Sequence, residues 1–134
     1  MVWGSGDALF GTAEIYVNPY YDSLNIGGNF YAGGNVTAYS DARLKDNVEL
    51  IPHAIEKVQA IRGVTFTRND KKDKITRYTG VIAQELLEVL PEAVSLDPNG
   101  IYSVAYGNIV GLLIEAIKEQ QIQIEKLRNL INNK

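Results

Sequence analysis

The stretch Ser40-Asp41-Ala42-Arg43-Leu44-Lys45-Asp46-Asn47 divides this 134-residue chain into two kinds of sequence. Upstream of it, glycines and aromatics separate short β-prone pieces. Downstream, charge and helical periodicity take over. Inside it, Ser40 and Asp41 are helix-capping side chains, with Ala42 to Lys45 as good helix formers behind them. Ser40 also precedes Lys45 by five residues. Serine with lysine is one of the few pairs that cut a peptide bond without histidine or cysteine.

Residues 1–39 hold more than half of the twelve glycines. The pieces 14–17, 24–26, 29–31 and 35–38 lie between turn signals at Asn18-Pro19, Asp22-Ser23, Gly27-Gly28 and Gly33-Gly34. Strands this short bury little alone, and isolated hairpins are barely stable in water. Two arrangements satisfy them: several chains wrapping together, or a small antiparallel sheet packed on the later helices. Tyr16, Tyr20, Tyr21, Phe30 and Tyr31 suit an interchain core better than a sugar-stacking platform.

Downstream, Leu44, Val48, Ile51, Ile55 and Val58 recur every three or four residues and predict an apolar helical face. Pro52 interrupts it and predicts a bend or two short helical pieces. Segments 61–67 and 75–82 read as strands around a charged, solvated tip at 69–74. Residues 83–90 read as a short amphipathic helix ended by Pro91. A second hairpin is predicted around the turn Asp97-Pro98-Asn99-Gly100.

From about 106 to 131 the chain reads as one helix, roughly 35–40 Å long at about 1.5 Å per residue. Val110, Leu113, Ile117, Gln120, Ile124, Leu127 and Ile131 are spaced alternately three and four apart, a heptad seam with one polar member. The seam keeps its register through the polar tail that starts at Glu125. Self-association therefore accounts for it better than a terminal helix lying on its own sheet. Its β-branched members leave room for a trimer as well as a dimer. The expected class is α+β: a β-structured trimeric shaft end at 1–39, then 40–134 as a small mixed domain. That domain has two β-hairpins and short helices, and ends in a helix forming a trimeric coiled coil.

Composition narrows the function. The net charge of −3, with no basic region before the seam, argues against a nucleic-acid footprint. No apolar run is long enough to span a bilayer, so no membrane partner is expected. The first residues carry neither a basic nor an apolar leader pattern. Without cysteine, disulfides and thiol chemistry are excluded, and a reducing compartment is adequate for folding. The single histidine, His53, has no ligand spacing around it, so neither a metal nor a cofactor is expected.

A serine hydroxyl is a poor nucleophile until a base takes its proton. A lysine does so only when burial or positive charge lowers its pKa from about 10.4. Arg43 is a candidate positive neighbour. Asp41 and Asp46 oppose the shift unless they point away or pair with Arg43. From a helix start at Ser40, Lys45 can reach back towards the N-terminus, where free N–H groups could hold an oxyanion on the Tyr39 carbonyl. The cut would fall between Tyr39 and Ser40. The plain alternative is that Ser40 and Asp41 only cap a helix.

The motif Ser40 to Val48 resembles the start of the endosialidase-type intramolecular chaperone domain, a self-cleaving serine–lysine module of phage tail spikes, tail fibres and neck appendages. Tyr78-Thr79-Gly80-Val81-Ile82-Ala83-Gln84-Glu85-Leu86, with Leu90-Pro91-Glu92, resembles its central strand-to-helix segment. Tyr102-Ser103-Val104-Ala105-Tyr106, leading to Leu112-Leu113-Ile114-Glu115-Ala116-Ile117-Lys118-Glu119, resembles its approach to the terminal coil. The resemblance covers about residues 40–130. It implies Ser40 as nucleophile and new N-terminus and Lys45 as general base, with Asp41, Arg43 and Asn47 in supporting places. It also implies a homotrimer, the upstream shaft as folding client, and a virion tail or appendage assembled in the host cytoplasm. The chaperone part would leave after the cut. A non-cleaving trimeric attachment tip is the alternative.

Overall fold

A computed structural model describes residues 15–18 and 23–133. Contacts divide the chain into two units, Met1–Asp46 and Asn47–Lys134. In the first, β1 (Ile15–Asn18) pairs antiparallel with β2 (Ser23–Ile26), Ile15 facing Ile26 and Asn18 facing Ser23. Of the four strand pieces read from the sequence, segments 29–31 and 35–38 form no strand. They adjoin glycine pairs at which the backbone bends, and among the described residues no strand pairs with them. Glu14 and the Pro19–Asp22 turn region, with Tyr20 and Tyr21, lie outside the described residues.

The second unit holds the rest of the fold. Residues 47–53 are irregular, and α1 (Ala54–Gln59) follows Pro52. The single apolar face expected from Leu44 to Val58 is therefore not formed. Leu44 and Val48 are 70% and 76% exposed, while Ile51, Ile55 and Val58 pack on the core. Pro52 breaks the pattern as its fixed φ and missing N–H require. His53 takes a left-handed backbone, φ 54°, and offers no side-chain cap to α1.

The hairpin of β3 (Gly63–Thr67) and β4 (Arg77–Val81) carries the charged tip, which is exposed. Phe66 and Tyr78 stack across it with ring centroids 6.0 Å apart. The helix α2 (Ala83–Val89) then buries Leu86, and Pro91 opens a 3₁₀ turn. The second hairpin, β5 (Val94–Leu96) with β6 (Tyr102–Val104), has the predicted turn. Asp97 Oδ1 accepts from the N–H groups of Asn99 (2.9 Å) and Ile101 (2.8 Å). Gly100 supplies the positive φ of 81° that the reversal needs.

The last helix, α3 (Ile109–Asn132), has two stripes. Ile109, Leu112 and Ala116 are buried and join Ala54, Leu86, Leu90 and Ala93 in the core. One residue further round lies the seam, whose apolar members Val110, Leu113, Ile117, Ile124, Leu127 and Ile131 are all exposed. From Gln120 to Asn133 every residue is exposed. The intrachain core therefore uses only the first three turns of α3. Fully burying a leucine such as Leu112 contributes about 1.5–3 kcal/mol. Beyond those turns no described residue of α3 is buried.

Candidate active site

The serine–lysine stretch folds as a single 3₁₀ turn, Ala42–Leu44, rather than a longer helix. Asp41 is extended (φ −63°, ψ 135°) and its Oδ1 accepts from the Arg43 N–H at 2.8 Å, which nucleates the turn. Lys45 closes it in an extended conformation (φ −129°, ψ 128°), its N–H donating to the Ala42 carbonyl at 3.1 Å. This exit angle swings the Lys45 side chain back along the turn. Its Nζ donates to Ser40 Oγ at 2.7 Å and to the Ser40 carbonyl at 2.8 Å. Asn47 follows with φ 51°, a left-handed conformation that asparagine tolerates better than most residues.

Of the arrangements the sequence left open for the charges around the pair, the structure shows Asp41 pairing with Arg43. Its Nε donates to Asp41 Oδ1 at 3.0 Å and its Nη2 to Oδ2 at 2.6 Å. That fork holds the Asp41 carboxyl below its ordinary range and raises the Arg43 guanidinium. The positive charge of Arg43 is thus compensated by Asp41, and Asp41 is both cap and partner. Three N–H groups of the turn are used within it. The Arg43, Leu44 and Lys45 N–H groups are taken by the Asp41 carboxylate, the Asp41 carbonyl and the Ala42 carbonyl. None of these three faces the Tyr39 carbonyl unoccupied.

Ser40, Lys45 and the whole stretch are exposed, and Tyr39 is 97% exposed. The single chain therefore brings nucleophile and amine to bonding distance but leaves both in water. In the ammonium form Nζ donates across the 2.7 Å contact. In the neutral form the same two atoms let Nζ accept the hydroxyl proton, and it is burial that favours the neutral form.

Two structural residues escaped the sequence reading. The Glu119 carboxylate on α3 accepts from the N–H groups of Ala54 (2.8 Å) and Ile55 (3.0 Å) and so caps α1 in place of His53. These bonds hold the Glu119 carboxyl below its ordinary range, that to Ile55 most strongly. No local signal marks a cap so remote in sequence. The Tyr106 hydroxyl accepts from the Val81 N–H at 3.2 Å, and a methyl group at Gly80 would collide with it.

Residues 40–95 match the model of a peptidase family described as the chaperone of endosialidase. The match begins at Ser40 itself. Among curated proteins, the chain is 34% identical over 143 aligned residues to the long tail fiber protein Gp37 of Enterobacteria phage M1, covering 94% of this chain and 57% of that protein. It is 31% identical over 136 residues to Gp37 of Enterobacteria phage T2, covering 93% of this chain and 10% of that protein. The chain thus spans from about a tenth to just over half of the lengths of these relatives.

Proposed function

We propose that this chain is the folding aid of a phage tail fibre, one that gathers three copies through α3 and then cuts itself once between Tyr39 and Ser40. The observation that carries the cut is the 2.7 Å contact of Lys45 Nζ with Ser40 Oγ, at the first residue of the family match. The exposed seam along α3 supports the gathering. The likeness to tail fibre proteins supports the setting: a virion appendage assembled in the host cytoplasm.

The chemistry proceeds in two steps. Lys45, neutral once desolvated, takes the Ser40 hydroxyl proton as Oγ adds to the Tyr39 carbonyl carbon. The C–N bond breaks, the lysine proton passes to the Ser40 nitrogen, and the Tyr39 acyl group is left as an ester on Oγ. Water then hydrolyses the ester to a Tyr39 carboxylate and a chain starting with the free amine of Ser40. Because the pair is solvated in one chain, assembly supplies the burial that arms Lys45. The cut therefore follows docking.

The order has a physical rationale. A β-shaft of three chains has high contact order and gains nothing until its strands align. Tethering the strands through a preformed coil raises their effective concentration. Removing the coil afterwards leaves a shaft whose persistence is kinetic, because the unfolded strands no longer find one another.

A second reading is a non-cleaving trimeric attachment tip. It is favoured by the full exposure of the dyad and by the capping role of Asp41. Denaturing mass analysis of freshly made protein separates the two. A fragment starting at Ser40, lost in Ser40→Ala and Lys45→Ala, supports the cut. Intact wild-type chain in a verified trimer supports the tip.

A further inference from the structure

We propose that Gln120 is the register selector of the α3 coil, the residue that forbids the assembled helices from sliding past one another. This rests on the multi-copy reading of α3. Seven seam positions run from Val110 to Ile131, and six are aliphatic. Such a seam is nearly periodic, so a slip of one heptad pairs aliphatic with aliphatic almost everywhere and is weakly opposed.

Gln120 breaks that degeneracy. In register, the Gln120 amides of the copies meet in one layer, and each primary amide offers both a donor and an acceptor to its neighbours. After a slip of one heptad, each Gln120 faces Leu113 or Leu127 and is buried without a partner, which is unfavourable. A single polar layer of this kind fixes alignment at some loss of stability.

The intrachain structure keeps this side chain available. Glu119 is committed to α1 through Ala54 and Ile55. Gln121 is committed to Glu125 at 2.8 Å. Gln120, between them, is exposed and makes no side-chain hydrogen bond among the described residues. It is thus a polar seam residue that the single chain leaves unused. Alignment matters for a folding aid, because a slip of one heptad displaces a chain by about 10 Å at roughly 1.5 Å per helical residue. That displacement equals about three residues of β-strand, enough to misalign every strand the coil is meant to pair.

The chain has no cysteine, so a single nitroxide placed through Lys126→Cys reports on coil alignment without interference. Interspin distances are measured by pulsed paramagnetic resonance, with sedimentation giving the oligomeric state. We expect one distance population with Gln120 present. In Gln120→Ile we expect a higher melting temperature together with a second, longer population. In Gln120→Ile/Leu127→Gln, which moves the polar layer by one heptad, a single population should return. An assembled Gln120→Ile protein that keeps one distance overturns the inference and leaves the multi-copy reading intact. A monomeric parent protein overturns that reading and this inference with it.

Discussion

Replacing Ile117 and Ile124 together by aspartate removes the seam while sparing the fold of the single chain. Neither residue belongs to the buried stripe of Ile109, Leu112 and Ala116. In one chain Ile117 is 64% exposed and Ile124 48% exposed. Burying those remainders contributes about 2–3 kcal/mol per chain, taking about 1.5–3 kcal/mol for a whole isoleucine. Over three chains the loss is about 5–10 kcal/mol. At about 1.4 kcal/mol per factor of ten, that weakens assembly by about four to seven powers of ten. Facing carboxylates add repulsion. Sedimentation velocity at micromolar concentration should show a monomer, and circular dichroism should show a largely helical α3 base still cooperative with the core. Denaturing mass analysis should show no cut. Cleavage at the wild-type rate in a verified monomer refutes the coupling of chemistry to assembly. A double variant that still assembles refutes the assignment of the seam.

Leu112→Ala should destabilise the second unit by about 2–5 kcal/mol, the range for truncating a fully buried leucine, as measured by denaturant titration. Glu119→Gln should lower stability at neutral pH. A carboxyl depressed on folding stabilises above its unfolded value and loses that contribution as pH falls through its lower folded value. The difference between Glu119→Gln and wild type should therefore be constant from neutrality to about pH 5 and vanish in stronger acid, as followed by thermal melts. Gly80→Ala should be destabilised by the collision of its methyl group with the Tyr106 hydroxyl. Adding Tyr106→Phe, which removes that oxygen, should recover part of the lost melting temperature.

Much of the fold was legible because it is local. The hairpin β5–β6 follows from Asp97 and Gly100, whose turn chemistry leaves little choice. The helix α3 follows from its periodicity. What failed was long-range or conformational. Leu44 and Val48 had helical spacing, but the chain turns at Asn47 and again at His53, so the spacing never acts on one helix. The cap of α1 comes from Glu119, far along the chain, where no sequence window reaches it.

The site shows the same division. That Lys45 meets Ser40 was legible from spacing and the family motif. That Asp41 pairs with Arg43 was one of the alternatives the sequence left open. That three N–H groups are spent inside the turn was not legible, since a helix and a 3₁₀ turn share the same residue preferences here. Three-foldness is likewise not written in α3. Val110, Ile117, Ile124 and Ile131 at one core position, with Leu113 and Leu127 at the other, is the pattern that by itself favours two strands. The third chain of the proposed assembly would have to be specified by surfaces outside that seam.

The ester on Ser40 is the species on which the mechanism turns, and hydroxylamine intercepts esters. Fresh wild-type protein held in hydroxylamine should give an upstream fragment ending in a Tyr39 hydroxamate and a downstream fragment starting at Ser40, with neither in Ser40→Ala or Lys45→Ala. An assembled wild-type chain that stays whole under those conditions, or a hydroxamate at any other residue, contradicts the account.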